Sequence, residues 1–325
     1  MKKLVAFCGF FLLLLALPTV VFGKSKEFNP YDMVSSDGEA ISYSEVKSIA
    51  EKNKSKLPSK MTEGNGEKFK TEDFNKLVSK MKPEKPFSKN SLSSQFSLSE
   101  VIGSDGRTKV SNTDVSPYKM FTYFYGENDK YGYSCTGNVI GKDLIVTNAH
   151  CIYDWDRKLY VKYAFTIPGL NNSYYSYGAY EMDKYFVPQG YIKTGSSDYD
   201  FAVVKLEPTP GRHIGDVVGT LPTKEVTNTK GTSISITGYP GDLNDRDGSV
   251  SQYRMAGKVS DETQSIAFYS IDTYHGQSGS ALFNTSGQII GVHNASYSGG
   301  IGDSINGGPK MTKPFRDFIA FALTQ

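Results

Sequence analysis

The sequence of 325 residues is short of several residue types, and each shortage limits what the protein can be. The net charge is only +2 and lysine and arginine form no dense stripe, so a nucleic-acid-binding protein is not expected. Four histidines and three cysteines leave few candidates for catalysis or cross-linking. By contrast, 32 glycines and 13% aromatic residues favour a fold rich in strands and turns.

Only one long apolar run is present, over residues 4–22, and it follows two lysines. Small residues at its end offer a cleavage site, so residues 1–23 are predicted to be a secretory signal peptide. A membrane anchor is the alternative, but Pro18 and the lack of a later run of that length argue against it. Cys8 lies too early in the run for a lipidation site. We therefore expect a secreted, extracellular protein without a membrane contact after signal removal.

Removal of the signal peptide would leave two cysteines, Cys135 and Cys151. In an exported protein the simplest expectation is that they form one disulfide. Two free thiols are the alternative.

Residues 24–100 differ in composition from the residues that follow, with 14 lysines and 12 acidic residues. A segment so polar buries little apolar surface, so we expect a mobile propeptide with short helices near 44–52 and 71–81. A disordered tail that tethers the protein to a surface is the alternative.

Residues 101–325 have the pattern of an all-β domain, because short apolar or aromatic segments alternate with turn signals. Two β-barrels would divide this region near 207–223. The stretch Pro314–Leu323 has helical spacing and is predicted to dock on the surface as a C-terminal helix. The predicted strands are Met120–Tyr125, Thr136–Ile140, Leu144–Thr147, Leu159–Phe165, Phe201–Leu206, Ser233–Thr237, Ile266–Ile271, Ala281–Phe283 and Gln288–Val292.

A serine between two glycines, Gly276-Gln-Ser278-Gly279, is the strongest candidate for a nucleophile. Gly276 permits backbone angles that a side chain would forbid, so the amides of Gly276 and Ser278 can converge on one point as an oxyanion hole. An ordinary glycine–serine turn is the alternative reading of this stretch.

A serine nucleophile needs a general base and an acid that orients it. His150 is a candidate base because it ends a predicted strand and precedes Cys151, which can fasten the turn to Cys135. Asp200 enters a predicted buried strand and is the candidate acid; Asp198, two residues earlier, is its competitor. The order His150, Asp200, Ser278 is that of chymotrypsin-type enzymes.

Three of these stretches resemble secreted bacterial serine proteases of the chymotrypsin fold: Thr-Asn-Ala-His150-Cys, Asp200-Phe-Ala-Val-Val and Gly276-Gln-Ser278-Gly-Ser. A narrower resemblance, covering essentially all of 101–325, is to the glutamyl endopeptidases of Gram-positive bacteria, the V8 protease group. The motifs that carry it are Asp272-Thr-Tyr-His-Gly-Gln-Ser278-Gly-Ser, Gly238-Tyr-Pro-Gly-Asp242, His213-Ile-Gly-Asp-Val-Val218 and Val101-Ile-Gly-Ser-Asp105.

The resemblance implies a double β-barrel with the triad in the cleft between the barrels. It also implies cleavage of protein and peptide substrates after glutamate, and more weakly after aspartate, by a monomer that needs neither metal nor cofactor. Thr273 and His293 match the residues that bind the substrate acid, and a partly cationic His293 would suit that role. The α-amino group of Val101, freed when the propeptide is removed from this zymogen, would help to bind the acid.

Two residues depart from related patterns. Animal trypsin-like enzymes have an aspartate before the nucleophile, and Gln277 cannot pair with a new N-terminus as that aspartate does. His275 stands where glycine is expected, and no role is assigned to it. The Glu100–Val101 bond has glutamate at the position such an enzyme would cut, so self-processing is expected.

Two further features are interpreted as structural. His213 lies in a loop. The acidic stretch Asp242–Asp247 does not match the EF-hand calcium template, because Leu243 and Arg246 fall at liganding positions, and calcium binding is kept as its alternative reading. Two other functions remain open: an exfoliative-toxin-like protease restricted to one host protein, and a catalytically silent secreted binding protein.

Overall fold

The computed structural model describes residues 28–84, the backbone of 96–97, and residues 100–209, 211–298 and 304–325. The predicted signal peptide lies outside these residues. The amino-terminal segment contains these elements: β1 (Met33–Ser35), β2 (Ala40–Ile41), α1 (Tyr43–Asn53), β3 (Thr62–Glu63), β4 (Glu72–Asp73), α2 (Phe74–Val78) and β5 (Phe96–Ser97).

The body of the chain supplies most of the two large sheets. Its first half contains β6 (Thr108–Lys109), β7 (Phe121–Glu127), β8 (Gly132–Val139), β9 (Leu144–Thr147), β10 (Tyr153–Asp154), β11 (Leu159–Tyr160), β12 (Tyr163–Pro168), β13 (Tyr174–Tyr175), β14 (Tyr180–Pro188), α3 (Gln189–Thr194) and β15 (Ala202–Leu206). Its second half contains α4 (Ile214–Val218), β16 (Gly219–Thr220), β17 (Ser233–Gly238), α5 (Gly241–Asp247), β18 (Tyr253–Glu262), β19 (Ile266–Tyr269), β20 (Ala281–Asn284), β21 (Ile289–Val292), β22 (Ala295–Ser298), β23 (Ser304–Pro309) and α6 (Lys313–Ala322).

Two antiparallel, barrel-like sheets confirm the predicted double-barrel fold. The first has the order β12-β7-β8-β9-β15-β14-β1-β2, and a further pairing of β12 with β14 closes its six body strands into a ring. The second has the order β21-β20-β17-β18-β19-β23-β22-β5, with β6 on β18. Closure of the first sheet leaves its six body strands without a free edge, and each barrel-like sheet packs on its own apolar core.

The nine predicted strands all coincide with strands of the sheets, although Leu159–Phe165 is divided between β11 and β12. Among the described body strands of four residues or more, the prediction missed β14, β18, β22 and β23. Exposed polar or charged residues interrupt both strands, Glu181 and Asp183 in β14 and Lys258, Ser260 and Asp261 in β18, so their sequences lack the apolar run on which the prediction relied.

The C-terminal helix α6 begins at Lys313 and packs its apolar face onto the first barrel, as predicted. Its Phe315 ring stacks on Phe201 with centroids 4.4 Å apart. Phe201 follows Asp200, so this contact holds the start of β15 and the candidate acid in place. In the described part of the chain, no helix is both long enough and apolar enough to cross a bilayer.

The expectation of a mobile propeptide is wrong for residues 28–84, because this segment is packed along the body. Strand β1 extends the first sheet beside β14, β3 pairs with β16, and β4 pairs with β13. Helix α1 lies against α6, where the Tyr43 hydroxyl donates to Asp317 at 2.8 Å. The segment is anchored by a few well-spaced apolar residues that are buried: Met33, Val46, Ala50, Leu57 and Phe74.

Candidate active site

The candidate base lies on a short turn that a disulfide joins to a neighbouring strand. His150 lies on the single helical turn Ala149–Cys151 that follows β9. Cys151 and Cys135 form a disulfide with their Cα atoms 6.3 Å apart, which fastens this turn to β8. The His150 ring is therefore carried by a rigid part of the first barrel, with 12% of its side chain exposed.

The candidate acid contacts both the ring and the backbone of the candidate base. Asp200 Oδ2 lies 2.7 Å from His150 Nδ1, and Asp200 Oδ1 accepts from the His150 backbone amide at 2.9 Å. Asp200 is 1% exposed, so water does not compete for these bonds. This geometry holds Nδ1 of the imidazole on a carboxylate, so Nε2 is the nitrogen that would exchange a proton with a substrate.

Two asparagines that sequence reasoning missed complete the surroundings of Asp200. Asn148 Nδ2 donates to the Asp200 carbonyl at 2.8 Å, and Asn294 Nδ2 donates to Asp200 Oδ2 at 3.2 Å. Asn294 is in turn held by the Tyr297 hydroxyl. Asp198, the competing candidate, bonds instead to Ser196, two residues earlier in the chain.

Ser278 lies on a tight loop whose backbone requires glycine at two positions. Gly276 and Gly279 have φ values of 90° and 86°, and a Cβ on either would lie 2.2 Å from a main-chain oxygen. The Ser278 carbonyl accepts from the backbone amide of Thr136 at 2.7 Å. Since Thr136 follows the disulfide-bonded Cys135, this bond brings Ser278 to the same part of the first barrel as His150.

The peptide that joins His275 to Gly276 is held in one orientation. The His275 carbonyl accepts from the Gly241 amide at 2.7 Å. The next carbonyl, of Gly276, accepts from the Thr136 hydroxyl at 2.8 Å. Because a trans peptide is planar with N–H and C=O on opposite sides, the Gly276 amide points away from Gly241. This is the amide that the sequence assigns to the oxyanion hole.

The two candidate pocket residues, Thr273 and His293, are both fully buried. The Thr273 hydroxyl has no hydrogen-bond partner among the described residues. His293 Nδ1 lies 2.9 Å from the Tyr269 hydroxyl. A buried hydroxyl without a partner is unfavourable, so Thr273 is a natural contact for a polar group that enters this site.

The structure corrects the expectation that His293 carries a partial positive charge. Burial, more than any other cause, lowers its pKa from 6.5 to about 3, and the nearby His150 acts in the same direction. The ring is therefore neutral at neutral pH rather than partly cationic. It can still donate one N–H to a carboxylate, but the positive charge that such a ligand needs has to come from another group.

The segment around Val101 lies beside the same pocket. The Ile102 and Gly106 amides donate to the two oxygens of Asp272, the residue before Thr273, at 2.8 and 2.7 Å. The Glu100 carbonyl accepts from the Thr273 amide at 3.3 Å and from Asn306 Nδ2 at 2.7 Å. Because the residues before and after Val101 are both bonded in this way, Val101 is held next to the candidate pocket.

The remaining sequence candidates lie outside this constellation or at its margin. His213 bonds to Asp143 at 2.6 Å, which suits the structural role expected of it. The acidic stretch forms α5, where Asp242 pairs with Arg107. His275 lines a cavity of about 340 Å³ that also reaches Ser278 and Glu84.

Comparison with known proteins agrees with this geometry. The family described as Trypsin matches residues 106–319. The chain is 34% identical over 243 residues to the glutamyl endopeptidase of Bacillus licheniformis, covering 72% of each protein. It is 28% identical to a Bacillus subtilis protein named extracellular metalloprotease, over 70% of this chain and 71% of that protein. A solved structure titled as a Glu endopeptidase in complex with MPD matches with a TM-score of 0.64 and 46% identity, over 69% of this chain and 100% of the other.

Among the described residues, the one close group of potential metal ligands is Cys135, His150 and Cys151. Both of its sulfurs form the disulfide, so this group does not offer thiolates to an ion. The family model matches about two thirds of the chain, and the barrel fold agrees with that match. The chain belongs to the trypsin family as a serine endopeptidase, and its resemblance to the bacterial glutamyl endopeptidases is confirmed.

Proposed function

We propose that the protein is a secreted, monomeric endopeptidase that cleaves peptide bonds after glutamate, and more weakly after aspartate. In this proposal His150, Asp200 and Ser278 form its triad. The observation that carries the proposal is the buried Asp200–His150 pair, held at 2.7 Å beside the loop that bears Ser278.

The reaction is an acyl transfer. The Ser278 hydroxyl attacks the carbonyl carbon of the substrate while Nε2 of His150 takes the hydroxyl proton. The Gly276 and Ser278 amides hold the oxyanion, and His150 returns the proton to the leaving amine. Water then attacks the acyl-enzyme while His150 takes a proton from the water. His150 returns this proton to Ser278 as the acid product leaves.

Three groups would bind the glutamate side chain of the substrate. The Thr273 hydroxyl is buried with its hydrogen-bonding capacity unused in the described residues, and His293 offers a neutral ring N–H. Neither supplies charge, and a buried carboxylate without a counter-charge is costly. The α-amino group of Val101 would provide that charge, because an amino terminus has a pKa of roughly 8 and is cationic at neutral pH.

The packing of the amino-terminal segment supports a zymogen. Strand β5 pairs with β22 along Ser296 and Tyr297, just after the candidate pocket residue His293. Glu84 lines the cavity beside Ser278, where it accepts from the Ser134 hydroxyl at 3.1 Å. Residues on both sides of the cleft would thus be covered until the propeptide, residues 24–100, is removed.

Cleavage of the Glu100–Val101 bond by the enzyme itself would create the Val101 amino group. The Glu100 carboxylate already lies 3.5 Å from the Ser296 hydroxyl. The test is to express the Ser278→Ala precursor alone and to determine its amino terminus. Self-processing predicts that this precursor persists and that added active enzyme converts it to a form starting at Val101. Maturation of the variant alone at the normal rate would contradict the idea.

Substrate preference is measured with peptide nitroanilides that differ only at the cleaved position, carrying Glu, Gln, Asp, Lys or Phe. Glu and Gln have the same shape, so their ratio of kcat/KM isolates the effect of charge. We expect Glu to be preferred over Gln by at least ~100-fold, since an unpaired buried group carries that scale of penalty. Preference for Lys or Phe would refute the pocket assignment.

The pocket is then tested with Thr273→Val, which keeps the shape of the side chain and removes its hydroxyl. The Glu-to-Gln ratio should fall by about 10-fold, the scale of one hydrogen bond to a charged group. Thr223→Val is the matched control, because it deletes another buried hydroxyl that has no partner among the described residues and lies outside the candidate site. A wild-type enzyme that cuts no short peptide, but does cut one protein, would favour the restricted toxin-like protease. No cleavage of any substrate would favour the silent binding protein.

A further inference from the structure

Arg107 is a buried cation whose guanidinium group donates hydrogen bonds to the four carboxylate oxygens of Asp105 and Asp242. Its side chain is fully shielded from solvent. One edge bonds to both oxygens of Asp105 at 2.9 Å, and the other bonds to both oxygens of Asp242, one of them at 3.0 Å. Burial alone would lower the pKa of Arg107, but the bonds to the two carboxylates more than offset it and keep the group charged.

Asp242 connects this cation to the loop of the nucleophile. It follows Gly241, and the Gly241 amide donates to the His275 carbonyl at 2.7 Å. That carbonyl belongs to the peptide whose N–H is the Gly276 donor of the oxyanion hole. Any rotation of this peptide has to break the bond from Gly241, and the Arg107–Asp242 pair prevents Gly241 from following the rotation.

Gln277 provides a second connection from Arg107 to the same loop. Its Oε1 accepts from the Tyr274 amide at 3.0 Å and lies 3.4 Å from Arg107 Nη1. The Gln277 backbone amide donates back to the Tyr274 carbonyl at 3.0 Å. The loop residues on both sides of His275 are thus held to one another and, through the Gln277 side chain, to the guanidinium group.

We propose that Arg107 is a positioning residue that fixes the His275–Gly276 peptide, and with it the oxyanion hole, through Asp242 and Gln277. This inference rests on the proposed function, in which Gly276 is an oxyanion donor. Arg107 thus places an internal positive charge next to Gln277. In animal trypsins the positive charge at this place is a new amino terminus that pairs with an aspartate. Asp272 holds Ile102 and Gly106 on the uncleaved chain, so the Arg107 contacts are already made before maturation.

The test compares Arg107→Gln with wild type, both matured in trans by tagged active enzyme that is then removed. Loss of one oxyanion donor reduces kcat by about 100-fold or more, so we expect a fall of that size with KM changed by less than about 3-fold. A peptide boronate with Glu at its end mimics the tetrahedral intermediate, and its affinity should fall by the same factor as kcat. A product peptide, which has no such intermediate, should bind nearly as before. Arg107→Lys retains the charge but not the paired geometry, and should give an intermediate kcat.

The matched control is Arg157→Gln, which removes an arginine from the buried Asp154 at 2.8 Å in the first barrel. A purely structural role for Arg107 predicts that both variants lose stability and that neither loses kcat selectively. If Arg107→Gln yields too little folded protein by circular dichroism, Asp242→Asn is used, with an expected loss in kcat of at least about 10-fold.

The outcomes separate this inference from the proposed function. Wild-type enzyme that a serine-directed phosphonate does not label at Ser278 would refute the proposed function itself. Wild-type enzyme that is labelled, together with an Arg107→Gln enzyme of unchanged kcat and boronate affinity, would refute only the positioning role.

Discussion

The neutral state of buried His293 makes a testable prediction about acid stability. Its pKa is about 3 in the folded protein and 6.5 as an ordinary histidine, so the unfolded chain binds one more proton between these values. Stability therefore rises with pH through this window and is lost as the pH falls from 6.5 toward 3. For a drop from ~pH 7.5 to ~pH 4, the linkage relation gives a loss of about 3 kcal/mol from this one ring.

The assay is guanidinium unfolding of the Ser278→Ala precursor, which cannot digest itself, at these two pH values. His293→Gln should lose about 3 kcal/mol less on acidification than its parent, although it starts from a lower stability. Other acid-titrating groups contribute equally to both proteins and cancel in the difference. Tyr269→Phe is the control, because it removes the same hydrogen bond and keeps the ring; it should retain the acid sensitivity of the parent. Equal acid losses for His293→Gln and its parent would refute a neutral, low-pKa His293.

Three further substitutions test other parts of the site. Asp200→Asn leaves the shape of the acid intact but favours the wrong tautomer of its partner, so kcat on a Glu nitroanilide should fall by about 10⁴-fold; a fall below 10-fold would contradict the assignment. Gly276→Ala forces a Cβ to within 2.2 Å of a carbonyl oxygen at φ 90°, so kcat should fall by about 100-fold or more with little change in KM. Replacing both Cys135 and Cys151 by alanine opens a loop with a sequence separation of 16 residues and should cost about 3 kcal/mol in guanidinium unfolding, whereas an unchanged midpoint would show that the bridge does not constrain the chain.

Sequence reasoning succeeded where a function depends on a few adjacent residues. A serine between two glycines needs a special backbone, and the structure has positive φ at both Gly276 and Gly279. The candidate base follows β9 directly, and the candidate acid precedes β15 directly. Such features are local, because strand pattern and turn chemistry are properties of neighbouring residues.

The strands that were missed show where local pattern is insufficient. In β18 the exposed face carries Lys258 and Asp261, while burial is confined to residues such as Tyr253 and Val259. The same difficulty explains why the segment predicted to be a mobile propeptide is packed in the structure. Its apolar residues are few and widely spaced, and only the body of the chain provides the surfaces, such as α6, on which they are buried.

By itself, the sequence determined the double-barrel class, the three candidate catalytic residues and the resemblance to glutamyl endopeptidases. Only the tertiary structure decided which asparagines surround Asp200, that His293 is neutral, and that Arg107 joins Asp242 and Gln277 beside the oxyanion peptide. The physical reason is that charge state and partner choice depend on burial and on contacts between residues far apart in the chain. Arg107 and Gln277 are separated by 170 positions, and no local pattern indicates that they meet.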